Sequence, residues 1–307
     1  GIKIIHLGGT NIYQTPLVFY KLVNLIMSLK PNIVQSWLYH SDLLVSLARC
    51  LLFYKRFTVL WTIHHASLDL KYESIHTRFA FRMLGVFSYF IPKAIIYCSD
   101  IAASVHYQFN FNPKNSVIIH NAVDLDVFSP SYKSYIKMRS LLKSSPKEFL
   151  VGLIARNDPN KGIDVFFEIV KLLHRYSKEI KFVICGENMS KEIIIKNYLS
   201  AINISKDYFY FLDEVESPEL ILNGLDVLVC PSKTESFGLI ALESVFCMTP
   251  VVCSDISAFR RLLGKDSIAK DSSPINFFVK IRDIMSSSKG KSFNNSNMIK
   301  LNSELKS

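Results

Sequence analysis

Two polar loops in the second half of the sequence carry residue types that bind anions and hydroxyl groups. The first runs from Ala155 to Gly162 and holds Arg156 and Lys161, five residues apart around an Asp-Pro turn. Two cations at this spacing can face one cleft and neutralise a diphosphate. A solvated turn with two ordinary surface cations explains the same pattern equally well.

The second loop, Pro231 to Gly238, leads straight into an apolar helix. Gly238 lets a ligand approach the backbone, and the N–H groups of Gly238 and Leu239 at the helix start suit a phosphate. Glu235 and Glu243 flank this point and are placed to bind hydroxyls of a sugar and of a ribose. In the alternative interpretation, which spacing alone favours, Glu235 complements the helix dipole and Glu243 is a solvated helix residue.

The elements that must position these loops follow an alternating pattern. Short β-branched runs alternate with longer segments of helical period, which predicts α/β architecture with two Rossmann-like halves. Because the strands are apolar without alternation, the sheets are expected to be parallel and covered on both faces. Strands are predicted at 2–7, 32–36, 57–62, 94–98, 116–119, 149–154, 182–185, 208–212, 227–230 and 250–253.

The predicted helices occupy the segments between these strands. Thr15 and Pro16 are predicted as the N-cap and first-turn residue of a helix that reaches Leu29. Further helices are predicted at 41–53, 77–89 and after Lys161. In open α/β sheets, ligands bind outside the carboxyl ends of the strands, which is where both polar loops lie.

Length and composition predict two folded domains. The chain has 307 residues, of which 49% are hydrophobic, enough for sizeable cores. A cluster of turn residues at 120–147 is interpreted as the linker. We therefore predict a first domain at 1–130, a second at 131–285 and a polar tail at 286–307.

The net charge of +10, from 36 lysines and arginines against 26 acids, favours anionic partners such as nucleotides, nucleic acid or acidic lipid. We find no stretch that interleaves aromatic and basic residues, so nucleic acid is not predicted as a partner. No apolar run reaches the roughly 18 residues of a membrane helix. Six scattered cysteines without a C-x-x-C pair indicate reduced core residues and a cytoplasmic location.

Together the two loops carry a resemblance. The run from Pro231 to Cys253 resembles the E-x7-E signature of the large retaining glycosyltransferase family of GT-B fold, often called family 4. Arg156 to Gly162 resembles that family's Arg-x4-Lys-Gly loop. Further similarities lie at 31–40, 61–65, 120–124, 210–212 and 225–227, so the resemblance spans about residues 1–285.

The resemblance implies a role for each matching residue. Arg156 and Lys161 would bind the donor diphosphate, and Glu235 and Glu243 the hydroxyls of the transferred sugar and of the ribose. His64, with His65 as runner-up, matches a histidine that faces the transferred sugar. The residues implied to be catalytic are His64 and Glu235, and those implied to bind the donor are Arg156, Lys161, Ser236, Phe237, Gly238, Leu239 and Glu243.

The implied reaction is the transfer of a sugar, with retention, from a nucleotide diphosphate sugar to a glycan or lipid-linked acceptor in bacterial surface polysaccharide assembly. No cofactor or metal is expected, because two cations and a helix N-terminus can neutralise the leaving diphosphate. The basic charge also suggests peripheral contact with an acidic inner membrane. Two alternatives are an inactive remnant or nucleotide-binding partner subunit, and a nucleotide-sugar epimerase of the same fold.

Several features depart from the family's pattern or invite another interpretation. Asp124-Leu125-Asp126 spells the D-x-D of metal-dependent sugar transferases, but it lies in the linker and is interpreted as turn and capping chemistry. Met248 and Asp213 stand where the family usually has glycine, and a left-handed backbone at Met248 would cost about 1 kcal/mol. The family's opening strand, glycine-rich loop and helix are not in the sequence, so the first domain is expected to be N-terminally truncated.

Overall fold

The computed structural model describes residues 1–8, 12–64, 75–213 and 217–287. These residues form two compact units, which divide between Asn121 and Ala122. The domain limits predicted at residues 130 and 285 stay predictions. Both units are parallel α/β structures, which confirms the predicted fold class of two Rossmann-like domains.

The first unit alternates helices and strands as predicted. In chain order its elements are α1 (Thr15–Leu29), β1 (Ile33–Trp37), α2 (Tyr39–Leu51), β2 (Thr58–Ile63), α3 (Ile75–Phe87), β3 (Ala94–Tyr97), α4 (Asp100–Gln108) and β4 (Ser116–Ile118). The prediction did not include α4.

The first sheet has the order β1-β2-β3-β4, with all pairs parallel. Because right-handed crossovers in one direction place the connecting helices on one face, α2, α3 and α4 cover the same side. The core on that side includes Trp61, Tyr97, Phe81 and Leu84, all at most 1% exposed. Strand β2 therefore ends at Ile63 with its carboxyl end directly before His64.

Residues 2–7 were predicted as a strand, and this prediction is wrong. No strand forms among residues 1–8, and Ile2 and Ile4 are 96% and 77% exposed. A strand needs a neighbour for its backbone N–H and C=O groups, and β1 pairs with β2 alone in the described sheet. β-branched composition without a pairing partner does not make a strand.

The predicted cap of α1 is also wrong in detail. Thr15 lies inside the helix, and the flanking residue is Gln14, which makes no side-chain capping bond. Pro16 lies in the first turn as predicted, where its missing N–H costs nothing.

The second unit carries the longer sheet. Its elements are α5 (Tyr132–Leu142), β5 (Phe149–Ile154), α6 (Ile163–Tyr176), β6 (Ile180–Cys185), α7 (Glu192–Ile202), β7 (Phe209–Leu212), α8 (Pro218–Gly224), β8 (Val227–Cys230), α9 (Leu239–Phe246), β9 (Val251–Ser254), α10 (Ser257–Leu262), β10 (Ile268–Ala269) and α11 (Pro274–Ser287). The short strand β10 was not predicted.

The order of the second sheet is β10-β9-β8-β5-β6-β7, and every pair is parallel. The chain proceeds outward from β5 through β6 to β7, returns to the other side of β5 at β8, and continues to β10. The direction of winding therefore reverses between β5 and β8. At such a switch point the loops diverge to opposite faces and leave a crevice at the carboxyl edge.

All six cysteines are free, and five of them are buried, as predicted for core thiols. Cys50 is the exposed exception. Among the described residues, no helix is both long enough and apolar enough to cross a membrane.

A buried carboxyl group lies beneath the first sheet. Asp42 on α2 is fully buried, Ser36 donates a hydrogen bond of 2.6 Å to its Oδ1, and its Oδ2 has no hydrogen-bond partner within the described part of the chain. Burial raises the pKa of Asp42 to about 7, against the lowering effect of Ser36. The neutral acid is therefore the form that suits this site.

We predict that the first unit loses stability as the pH rises. The folded pKa of Asp42 lies above its unfolded value of 3.8, so its stabilisation is complete below about pH 4 and lost as the pH reaches about 7, a change on the order of 4 kcal/mol. Asp42→Asn should flatten this dependence in urea titrations between these pH values. An unchanged pH profile in the variant would contradict the assignment.

The second residue beyond the end of α9 has the left-handed backbone that the sequence suggested. Met248 has φ of 55°, and its N–H bonds to Val245 O at 2.9 Å. The next N–H, of Thr249, bonds to Ser244 O at 2.9 Å. This is a helix C-terminus of the kind that glycine usually occupies.

Met248→Gly should raise the free energy of unfolding by about 1 kcal/mol, because glycine adopts this backbone without steric cost. The matched control is Met248→Ala, which removes the exposed side chain but keeps the Cβ and its strain. Urea titration of both variants separates the two effects. Equal stabilisation by alanine and glycine would show that the backbone is not the cause.

Candidate functional site

Two loops leave the sheet at the switch point between β5 and β8. We call residues 155–162, which follow β5, the Arg156 loop, and residues 231–238, which follow β8, the Glu235 loop. Since parallel neighbours end at the same edge, the two loops emerge side by side. The sequence predicted both loops but not their adjacency.

The two loops touch through their backbones. Gly162 has φ of 67°, and a Cβ placed on it would lie 2.0 Å from the carbonyl oxygen of Pro231. The N–H of Lys233 donates to Asn160 O at 2.8 Å. Glycine at position 162 is therefore required by the close approach of the Glu235 loop as well as by its own backbone conformation.

An ion pair joins the same loops. Lys161 Nζ lies 2.5 Å from Glu235 Oε1, and the side chains are 25% and 13% exposed. Ser232 Oγ donates to the same carboxylate oxygen at 3.1 Å. Lys161 and Glu235 were predicted to bind different parts of a ligand, and in the structure they contact each other. An anion that binds Lys161 must therefore share the ammonium group with Glu235 or take it over.

Arg156 lies on the other side of its loop. It is exposed and lines an open cavity of about 510 Å³ together with Asn157, Asp158, Pro159, Glu187, Asn188 and Lys191. Lys161 is not among the lining residues. Lys161 contacts the Glu235 loop, whereas Arg156 lines the cavity shared with the segment after β6. The prediction that both cations face one cleft stays a prediction.

Sequence reasoning missed the contribution of the segment after β6. Glu187, Asn188 and Lys191 line the Arg156 cavity, and Lys191 adds a second cation to it. The signal was present, because these residues follow the carboxyl end of a predicted strand. They form no recognisable spacing motif, so only the sheet order brings them next to Arg156.

The Glu235 loop ends at the start of α9. Gly238 flanks the helix with φ of 93°, and a Cβ there would lie 2.8 Å from Cε1 of Phe259. The helix follows directly at Leu239. The N–H groups of a first helical turn have no partner within the helix and attract anions. Gly238 and Leu239 lie at such a helix start, and phosphate binding there stays a prediction.

The remaining predicted residues of this loop are close by. Ser236 and Phe237 are half-buried between Glu235 and Gly238. Glu243 lies on α9, is half-buried, and has its pKa raised by burial. It is therefore not the fully solvated helix residue of the alternative interpretation.

Asp213, which replaces a usual glycine, is held at the end of β7. Its Oδ1 accepts the N–H of Ser190 at 3.0 Å, and its Oδ2 accepts the hydroxyl of the same residue. These hydrogen bonds lower the pKa of the Asp213 carboxyl. The side chain thus links the loops after β6 and β7.

The residues outside the second sheet are placed as follows. His64 follows β2 at the carboxyl edge of the first sheet and is half-buried, while His65 lies outside the described residues. Asp124 Oδ1 accepts the N–H of Asp126 at 3.0 Å, which is the turn chemistry expected for this D-x-D. Within the described ranges, no three His, Cys, Asp or Glu side chains are grouped so as to hold a metal ion. The expected absence of a metal or cofactor stays a prediction.

The arrangement combines three means of binding a phosphorylated, hydroxyl-rich ligand. The Arg156 loop carries the two cations Arg156 and Lys161. Of the two carboxylates, Glu235 precedes the start of α9 and Glu243 lies within that helix. Cations and helix N-termini bind phosphate, whereas carboxylates accept hydrogen bonds from hydroxyls.

Comparison with known proteins assigns both halves to the same class. The family model described as Glycosyltransferase Family 4 matches residues 2–127, and the one described as Glycosyl transferases group 1 matches residues 148–287. An O-antigen biosynthesis glycosyltransferase of Escherichia coli, WclY, is 28% identical over 182 residues, covering 59% of this chain and 48% of that protein. A D-inositol 3-phosphate glycosyltransferase of Paenarthrobacter aurescens is 32% identical over 156 residues, covering 48% and 38%. The matched part of the chain thus spans less than half the length of these relatives.

Solved structures share the fold. Anabaena Alr3699/HepE, in complex with UDP and glucose, superposes with a TM-score of 0.77 at 15% identity, covering 92% of this chain and 76% of its own. WaaG, a glycosyltransferase involved in lipopolysaccharide biosynthesis, superposes with a TM-score of 0.71 at 11% identity, covering 92% and 76%. Both halves of the chain thus match glycosyltransferase family models, and its two parallel α/β units share the fold of these solved structures.

Proposed function

We propose that this chain transfers a sugar from a nucleotide diphosphate sugar to a glycan or lipid-linked acceptor, with retention of configuration at the transferred carbon. The observation that carries the proposal is the junction of the Arg156 and Glu235 loops at the switch point of the second sheet. At this junction the ammonium of Lys161 contacts the carboxylate of Glu235, and α9 begins four residues after Glu235. The E. coli relative named for O-antigen biosynthesis supports an acceptor of the surface-polysaccharide type.

In this proposal the second unit binds the donor. Lys161 and the N–H groups of Gly238 and Leu239 bind one phosphate. Arg156, which lines the cavity next to the segment after β6, also binds the diphosphate. Glu235 binds hydroxyls of the transferred sugar, and Glu243 binds the ribose hydroxyls. Anabaena HepE has been solved with UDP-glucose, which supports a nucleotide-sugar donor for the shared fold.

The ion pair of Lys161 and Glu235 gives the crevice two states. Without ligand, the ammonium neutralises the carboxylate at 2.5 Å. A donor diphosphate attracts the ammonium more strongly than one carboxylate does, because it carries more charge. The carboxylate of Glu235 then accepts hydrogen bonds from sugar hydroxyls, while Lys161 stays with the phosphate.

The chemical step breaks the bond between the sugar carbon and the diphosphate oxygen and forms a bond from that carbon to the acceptor oxygen. The acceptor hydroxyl loses its proton, which the leaving diphosphate can take up. The chief task of the protein is to stabilise the negative charge that develops on the leaving diphosphate. Lys161, Arg156 and the start of α9 supply that stabilisation with fixed positive charge. His64 is proposed to contact the transferred sugar, on the resemblance alone.

Donor binding should depend on Lys161. We expect Lys161→Met to weaken UDP binding by about tenfold to a hundredfold, because it removes a charge-assisted contact and leaves Glu235 without its cation. Calorimetry with UDP and with GDP measures this effect and also reports the preferred base. Lys147→Met, an exposed lysine of the same unit, is the matched control and should bind like the parent. Equal affinities in all three proteins would contradict the assignment.

Glu235 should affect turnover more than nucleotide binding. Glu235→Gln keeps the shape but removes the charge that competes for Lys161, so UDP should bind at least as tightly as to the parent while sugar transfer falls about a hundredfold. The assay follows release of UDP from a UDP-sugar with and without acceptor. Acceptor-independent conversion of the sugar would instead support an epimerase. UDP binding without any turnover in the parent protein would support the inactive remnant.

A further inference from the structure

The loops that precede the four strands of the first sheet form one continuous surface. In a parallel sheet, every loop that leads into a strand lies at the amino edge. Here these loops are residues 30–32, 52–57, 88–93 and 109–115, and we call the surface they form the amino-edge rim. Hydrogen bonds join the third and fourth loops, from Tyr89 to Asn110 at 3.3 Å and from Asn115 to the Pro92 carbonyl at 3.2 Å. The Asn32 carbonyl of the first loop accepts the N–H of Thr58, directly after the second loop, at 2.8 Å.

The composition of the amino-edge rim is unusual for a solvated surface. Each loop carries at least one cation, and none of the four contains Asp or Glu. The cations are Lys30, Lys55, Arg56, Lys93 and Lys114. Loop 52–57 alone interleaves aromatic and basic residues, so the prediction that the chain holds no such stretch is wrong.

Large aromatic side chains stand between these cations in water. Phe53 is 77% exposed, Phe90 64% and Tyr54 59%. The ammonium of Lys55 lies 5.2 Å from the centre of the Tyr54 ring. Aromatic rings with flanking lysine and arginine are the residues that concentrate at membrane interfaces, where a ring enters the headgroup region and a cation meets phosphate.

Exposed aliphatic residues extend the apolar part of the rim. Helices α1, α2 and α3, which precede the first three loops, each have an exposed aliphatic residue in the last turn. These residues are Leu29, Leu51 and Val86, at 59%, 56% and 50% exposure. Single-stranded nucleic acid also binds aromatic and cationic surfaces, but aliphatic side chains offer its bases little. A lipid membrane offers contacts to all three classes of side chain, since acyl chains contact aliphatic and aromatic groups and anionic headgroups contact the cations.

The net positive charge of the first unit also favours an anionic membrane. Residues 1–121 hold 11 lysines and arginines against 4 acids, a net charge of 11 − 4 = +7 out of the total of +10. One of those acids is Asp42, which is fully buried. A basic surface of this kind is attracted to a membrane that contains anionic lipid.

We infer that the amino-edge rim docks the chain onto an anionic lipid membrane. The aromatic and aliphatic side chains enter the interface, and the five cations bind lipid phosphates. Ligands of parallel α/β sheets bind at the carboxyl edge, so docking through the amino edge leaves the His64 end of the first sheet accessible. The inference goes beyond the proposed transfer reaction and does not depend on it.

Vesicle sedimentation with the full chain tests the inference. The parent protein should pellet with phosphatidylcholine vesicles that contain phosphatidylglycerol, bind far less to pure phosphatidylcholine, and be released by high salt. We expect Phe53→Ser with Phe90→Ser, and separately Lys55→Gln with Arg56→Gln, to weaken binding by about tenfold or more. All four side chains are exposed, so the variants should fold, as circular dichroism would verify.

Two control variants match these changes outside the rim. Tyr13→Ser removes an aromatic ring that is 90% exposed before α1, and Lys143→Gln with Lys147→Gln removes two exposed cations from the second unit. Both should bind vesicles like the parent. If the rim variants pellet as well as the controls do, or if pure phosphatidylcholine binds as strongly as the anionic mixture, the inference is overturned.

Two further measurements assign the rim to another partner if lipid is wrong. Tighter binding of a single-stranded oligonucleotide, lost in the same rim variants, would identify a nucleic-acid surface. A dimer in sedimentation velocity that the rim substitutions dissociate would identify a second copy of the chain. Either result overturns lipid docking. UDP calorimetry on the same variants keeps the two proposals apart, since a chain that pellets with vesicles but binds no UDP would refute the donor site alone.

Discussion

The pairing of β5 with β8 brings two distant segments of the chain to one place on the edge of the second sheet. Because winding reverses at this pair, the helices that follow the two strands lie on opposite faces of the sheet, and the loops that lead into those helices meet at its carboxyl edge. The close contact of Gly162 with Pro231 fixes how near they come. The positions of Lys161, Glu235 and the start of α9 all follow from that contact.

Within the crevice, the ion pair of Lys161 and Glu235 is both a structural link and an obstacle to binding. The side chains are largely withdrawn from water, so neither charge can be left without a partner at small cost. A ligand that offers a phosphate to the lysine and hydroxyls to the glutamate satisfies both groups at once. A ligand with only one of these features leaves a charge unpaired, so under the proposed function the pair would favour ligands that carry both features.

The sequence was sufficient to predict the strands that carry the site and the residues at their ends. Met248 was suspected of a left-handed backbone from its position after a helix, and it has one. Contacts between segments were beyond sequence reasoning. The partner of Lys161 is 74 residues away, and the contribution of Lys191 depends on the order of strands. Residues 2–7 have the composition of a strand, yet pairing, which composition does not specify, decides whether a strand forms.

The first sheet presents two edges of different character. Its carboxyl edge ends in His64, whereas its amino edge collects aromatic rings and cations that no local fold requirement explains. Phe53 and Phe90 are mostly exposed, and keeping large aromatic surface in water is unfavourable. Function at a surface, and not folding, accounts best for their positions.

The central claim is that a diphosphate binds where the Glu235 loop meets α9. Amide chemical shifts of the isotope-labelled protein, followed by NMR during a titration with UDP, test it most directly. The account predicts that the amides of Gly238 and Leu239 shift most, followed by those of the Arg156 loop, while amides of the first sheet stay unchanged. Shifts confined to other regions, with Gly238 and Leu239 unaffected at saturating UDP, would contradict the account.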